Sequence, residues 1–183
     1  MMNKLNKLLR RSCLLLLIFS SQTVFGQKFT FSTNVLSWAT LSPNIGVEAI
    51  LSSHVSLDLN LTVHPFDYKS DPMQFVVVQP EVRYWLGRPQ ARHFFGLNAF
   101  YVDNNVTWKD DRYKGHGFGA GVSYGYSWVL SDHWNIEASL GVGIMRVRQF
   151  NFGKEESQPA EINYEKWLPV PSKCAVSFVY ILK

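Results

Sequence analysis

Apolar and polar positions alternate with a period of two through most of this chain, most strictly between Gly115 and Val147. Phe118, Ala120, Val122, Tyr124, Tyr126 and Trp128 share one phase, and Gly119, Gly121, Ser123, Gly125 and Ser127 the other. After Ser131-Asp132-His133, the residues Ile136, Ala138, Leu140, Val142 and Ile144 oppose Asn135, Glu137, Ser139, Gly141 and Gly143. Side chains of a strand point alternately to opposite faces, so this stretch predicts a long β-hairpin with one apolar face and one small or polar face. The apolar face is continuous and ends in aromatics, which suits lipid better than a compact core.

The same period predicts strands elsewhere. Lys28 to Trp38 reads as a first strand, Asn44 to Leu51 as a second and Val55 to Val63 as a third. A fourth runs from Gln74 to Leu86, where Pro80 signals a bulge or weakened pairing. A fifth covers His93 to Val102, the hairpin adds two, and Lys173 to Leu182 closes the set. The connections at Ser52-Ser53, Gly87 to Arg92 and Ser131 to His133 are short, whereas His64 to Pro72, Asp103 to Lys114 and Gln149 to Pro171 are longer. Short periplasmic turns and long outer loops are the layout of outer-membrane barrels. With that orientation Tyr84, Phe95, Trp128 and Trp134 fall near the periplasmic rim, and Tyr101 and Phe118 near the outer one. Aromatic side chains gather at both membrane interfaces, whereas a soluble barrel has no reason to sort them by height. The expected fold is therefore all-β: an eight-stranded antiparallel transmembrane β-barrel of up-and-down topology, spanning residues 27–183.

Residues 1–26 carry a different signal. Lys4, Lys7, Arg10 and Arg11 precede an apolar run from Cys13 to Phe19, and Val24-Phe25-Gly26 makes a plausible cleavage site. This is the layout of a secretory signal peptide, too short in its apolar part to span a membrane as a helix. It changes the charge picture. Eighteen basic residues less those four leave 14 against 14 acidic ones, so the formal +4 belongs to the signal and gives no support for nucleic-acid binding. Cys174 then stands alone, which excludes an internal disulfide or a cysteine metal cluster in the mature chain.

The stretches Pro43-Asn44-Ile45-Gly46-Val47-Glu48, Gln79-Pro80-Glu81-Val82-Arg83-Tyr84-Trp85 and His93-Phe94-Phe95-Gly96-Leu97 are similar to those of an uncharacterised family of outer-membrane barrels from Bacteroidetes-type bacteria, a domain of unknown function. Gly119 to Tyr126 and His133-Trp134-Asn135-Ile136-Glu137 extend the resemblance across nearly the whole mature chain. It implies an outer-membrane location, a barrel fold and an association with fimbrial or other surface-assembly systems, with no assigned chemistry. Between Asn151 and Pro169 this chain lacks cysteines that some relatives carry, which removes any basis for a disulfide or metal role there.

The inward phase holds Glu48, Asp58, Glu81, Arg83 and Glu137. An eight-stranded barrel is wide enough only for its own side chains, so these predict a buried ion and hydrogen-bond network with Arg83 bridging the carboxylates. An excess of carboxylates also fits a cation or proton site, though such groups more often share a proton. Gly119, Gly121, Gly125, Gly141 and Gly143 would leave room for the charged side chains to cross the lumen. Trp108, Tyr113, Tyr164 and Trp167, set among polar residues in the long loops, are the candidate contacts for surface or periplasmic proteins. His54-Val55-Ser56 has the spacing of a His-activated nucleophile and supports the alternative of a lipid-modifying enzyme; a narrow pore is the third reading. His64, His93, His116 and His133 lack metal-site spacing. The reading is thus a monomeric barrel in outer-membrane lipid, with a plugged polar lumen and no enzyme activity, cofactor or metal, acting through its loops.

Overall fold

A computed structural model describes residues 28–68, 71–108, 111–153 and 159–182. The signal-peptide reading of residues 1–26 lies outside the described residues. Nine strands and one short helix follow in order: β1 (Phe29–Asn34), α1 (Val35–Ala39), β2 (Asn44–Ile50), β3 (Val55–His64), β4 (Asp67–Tyr68), β5 (Asp71–Trp85), β6 (Arg92–Trp108), β7 (Asp111–Val129), β8 (Trp134–Gly153) and β9 (Tyr164–Ile181). Every strand except the two-residue β4 joins one antiparallel up-and-down ring, closed by β1 against β9 and continued from β3 directly to β5. The result is a closed eight-stranded barrel.

Its inside and outside are inverted relative to an ordinary core. Among the described residues, seven apolar side chains are buried against seventeen polar or charged ones. The outer face is almost wholly apolar: Leu97, Leu140 and Val142 are 66–68% exposed. Outward aromatics lie at two levels. At the end of the short turns Phe95 meets Tyr124 at 5.4 Å, Tyr126 meets Trp128 at 4.7 Å and Trp134 meets Tyr180 at 4.9 Å. Toward the other end the register aligns Tyr101, Phe118 and Trp167, the last two edge-on at 6.1 Å.

The wall is uneven. β1 and β2 have six and seven residues, while β6 to β9 have 17 to 20. The expected first strand to Trp38 stops at Asn34, and α1 takes over. Asn34 is the reason. Its Oδ1 accepts from Leu36 N as a helix cap and from Val176 N on β9, while its Nδ2 donates to Cys174 O. One side chain thus caps the helix and substitutes for the missing strand. Asn44 Oδ1 accepts from Asn34 N and Thr33 Oγ1, and Trp38 Nε1 donates to Thr33 Oγ1, so the break leaves few polar groups unmatched. Above Cys174, Pro169 and Pro171 suit β9 where it runs on past β1, since proline is tolerated at a sheet edge.

The outer connections are also shorter than their polarity implies. Most of Asp103 to Lys114 is strand, continuing the β6–β7 ladder to Trp108 opposite Asp111. β8 and β9 likewise pair as far as Gln149 opposite Tyr164. Pro80 interrupts the β5–β6 ladder between Val78 and Glu81 without shifting its register. The one shift between β8 and β9 falls instead at Ser172, an extra residue between the Val142–Pro171 and Gly141–Lys173 pairs.

The glycines of β7 and β8 do make room, for bulky side chains more than for charged ones, with Gly141 alone lying against Lys173. A Cβ on Gly125 would fall on the Phe94 ring, and one on Gly121 would lie 2.5 Å from Ser172 Oγ and 2.7 Å from Val142 O. What these wall positions accommodate is the aromatic floor and the β9 bulge. Gly125→Ala should therefore overpack the floor and destabilise the barrel by about 1–3 kcal/mol, and Phe94→Leu in the same chain should recover part of that. Urea unfolding followed by tryptophan fluorescence reads both. An unchanged midpoint in the single variant would contradict the packing described.

Candidate functional site

Three carboxylates stand side by side on neighbouring strands, because the register sets Glu48 opposite Asp58 and Asp58 opposite Glu81. Like charges directly across a sheet repel. The compensating charge lies two residues along β5, where Arg83 returns to the same inward face. Its guanidinium lies 2.9 Å from Glu48, 2.8 Å from Asp58, 2.8 Å from Glu81 and 3.2 Å from Glu137 of β8. The planar fork of arginine can serve several acceptors at once, which a lysine ammonium at that position would do less well. All five side chains are nearly fully buried.

A second cation, absent from the sequence reading, completes the cluster. Lys173 Nζ contacts Glu81 and lies 3.7 Å from Asp58, so four carboxylates face two cations. The Ser172 bulge sets the phase of β9 here, and its trace in the sequence is the alternation of Lys173, Ala175, Ser177 and Val179 against Cys174, Val176, Phe178 and Tyr180. Ser123 Oγ donates to Glu81, and Ser56 Oγ donates to Glu48 while accepting from Trp85 Nε1 at 2.8 Å. Beneath the guanidinium lies Phe94, with Arg83 Cζ 4.7 Å from the ring centroid, and Trp85 packs on Phe94 at 4.7 Å.

Polar side chains narrow both approaches to the cluster. From the short-turn end, the Gly87 to Arg92 connection folds into the mouth instead of turning outside it. Gln90 and Ala91 are buried; Gln90 Nε2 donates to Glu48, and Asn135 Nδ2 donates to Gln90 O at 2.6 Å. Gln90 and Arg92 both hold φ of 65°, an uncommon conformation for residues with a Cβ. On the other side Gln79 Nε2 crosses the lumen to Ser172 O at 2.7 Å. Beside it a cavity of about 170 Å³, lined by Asn34, Asn44 and Asn60, reaches the cluster at Arg83, Glu137 and Lys173.

The remaining candidates are dispersed. His54 and Ser56 are not brought together: His54 is exposed, with its Nδ1 at Ser53 Oγ and its ring stacked on Tyr84, while Ser56 is sealed among Glu48 and Trp85. A buried Ser–His pair does form between Ser42 and His64, 3.0 Å apart, where Ser42 also donates to Thr40 O in the turn after α1. Trp108 is 62% exposed at the β6–β7 tip, and Tyr113 and Tyr164 are half-buried near the strand ends. Trp167 is not in a loop; it lies on the outer face of β9 against Phe118. The described residues contain no group of three or more His, Cys, Asp or Glu placed to hold a metal ion.

A family model described as a protein of unknown function, DUF3575, matches residues 12–182. No curated protein matches the chain.

Removing the shared cation should be far worse than reshaping it. Arg83→Met leaves four buried carboxylates against Lys173 alone and should lose about 3–5 kcal/mol of stability, whereas Arg83→Lys should fall between that and the parent. Unfolding midpoints in urea give the order, and a methionine variant as stable as the parent would refute the bridging role.

Proposed function

We propose that this chain, which belongs to the DUF3575 family of proteins of unknown function, is a small outer-membrane barrel with a locked lumen, working at the cell surface through its outward hairpins. The observation that carries the reading is the inversion of polarity, with charges bonded inside and bare apolar side chains outside. Contiguous exposed apolar surface on this scale has no place in water. Its height also fits a bilayer. Outward residues stay apolar or aromatic over eleven residues on β7, from Phe118 to Trp128, and over eleven on β8, from Trp134 to Ile144. A tilted strand crosses the hydrocarbon region in about 9–11 residues.

The short side of the wall supports the same environment. β1 alone cannot cross, and α1 completes the span with Val35, Leu36 and Trp38 exposed. Without water every backbone polar group needs a partner within the protein, and the Asn34, Asn44 and Thr33 side chains supply several where the ladder stops. With the lumen occupied by Arg83, Lys173, Gln79 and Gln90, the surfaces left for function are the apolar wall and the hairpins beyond it. We assign contact with surface or periplasmic proteins to those hairpins, with Trp108 at the β6–β7 tip as the most exposed aromatic anchor.

The mature chain should fractionate with outer membranes and resist extraction by urea, and in planar bilayers it should show no steady conductance. Recovery as a soluble periplasmic protein would overturn the location, and a large stable conductance the locked lumen.

A further inference from the structure

At the level of the aromatics Phe118 and Trp167, with Arg146 between them, the outer face of β7 and β8 begins to change from apolar to basic. The register sets Phe118 opposite Arg146 and His116 opposite Arg148, and Lys114 and Arg112 continue the same phase along β7. Arg146 and Arg148 are 40% and 44% exposed, and Glu165 on β9 joins them. One carboxylate oxygen contacts Arg146 and the other lies 3.3 Å from Arg148 Nε. A single carboxylate cannot saturate two guanidiniums, each a fork of several donors, so it aligns the pair and leaves it positive. Beyond β6, the matching ends of β4 and β5 carry Asp67 and Asp71. The row that holds Arg148 is itself mixed, reading Asp103, His116, Arg148 and Glu165 across β6 to β9, so the positive character is local to the arginine pair.

The surface below is equally specific in kind. Val122, Leu140, Val142 and Ile144 are 58–68% exposed and flat, with Ala120 beside them and Pro169 and Pro171 along β9. An apolar bed two to three strands wide ends at two paired arginines. That is the complement of a molecule with acyl chains and an anionic head, and it excludes a nucleic acid or an acidic peptide, neither of which would cover the bed.

We propose that this face binds one phosphomonoester-bearing lipid of the outer leaflet, its phosphate between Arg146 and Arg148 and its chains on Val142, Ile144 and Val122. The inference rests on the outer-membrane reading above. Two adjacent forks favour a monoester because its terminal oxygens outnumber those of a diester and allow bidentate contact with both.

The purified full chain is refolded into phosphatidylcholine vesicles containing phosphatidic acid or phosphatidylglycerol, which share acyl chains and differ in phosphate type. After transfer to mild detergent, native mass spectrometry counts the retained lipid. The parent should keep one phosphatidic acid, and Arg146→Gln/Arg148→Gln should lower its retention about tenfold. Arg148→Gln alone should show a smaller loss in the same direction, and Arg88→Gln/Arg92→Gln at the opposite rim none. Equal loss in both double variants would reduce the effect to general electrostatics and overturn the site, and equal retention of phosphatidylglycerol would overturn the monoester assignment. A parent that enters neutral vesicles but keeps no anionic lipid would overturn the site and leave the membrane reading standing. Failure to enter any vesicle would overturn both.

Discussion

One guanidinium holds four strands together through the middle of this protein. Arg83 extends from β5 and reaches carboxylates on β2, β3 and β8 as well as its own strand. Each partner alone would be a buried charge at a cost of several kcal/mol, and the row of Glu48, Asp58 and Glu81 would repel itself. The cluster is therefore cooperative in a strict sense: no member is tolerable inside the barrel without the cation, and the cation is tolerable only among them. It also fixes geometry. A planar fork with acceptors on four strands admits little variation in cross-section, and Phe94, Trp85 and Gln90 are packed against what that cross-section leaves.

With the interior given to charge, the apolar positions of the chain fall on the exterior, since the strands alternate and every inward residue has outward neighbours. The barrel cannot bury those neighbours in itself. In the proposed outer-membrane setting its stability comes from lipid around it and from closure of the ring, and only in small part from the apolar floor of Trp85 and Phe94. The uneven wall is consistent with this division. Where β1 ends early, Asn34 replaces a strand with one amide side chain, which keeps the β9 backbone bonded at the place where the ladder would otherwise open.

Much of this was legible in the chain because a period of two is a strong signal and survives averaging over eight strands. The phase of Glu48, Asp58, Glu81, Arg83 and Glu137 follows from it directly. Lys173 was missed because it opens the legible alternation of β9, where a lysine reads as a flanking charge, and the pairing that carries β9 on past Ser172 to Tyr164 has no sequence mark. The helix at Val35 was missed because the bonds that favour it reach Cys174 and Val176, some 140 positions away. The Gly87 to Arg92 segment has the composition of an exposed turn, and only the polar pocket formed by Glu48, Ser127 and Asn135 gives Gln90 a reason to enter the lumen. Strand lengths were underestimated for a related reason. Past the apolar band both faces of a hairpin can be polar, and alternation stops being the criterion even though the ladder continues.

That last point bears on function. In the proposed membrane setting the strands beyond Phe118 and Ile144 gain nothing from lipid, yet β6, β7 and β8 continue as paired ladders for several residues more. Two-stranded ribbons in water are marginal by themselves, and here each strand is held in a sheet of several, with Arg112 set over Phe152 and Asn104 bonded to the Tyr113 carbonyl. A barrel that had only to cross a bilayer could end in short loops at that height, as it does at the opposite rim. Ordering this much polar backbone costs conformational entropy that membrane insertion does not offset. On the proposed reading the tall side of the wall is therefore where an external contact has to be sought, and the paired arginines at its base mark the boundary between the part that lipid would hold and the part that would face outward.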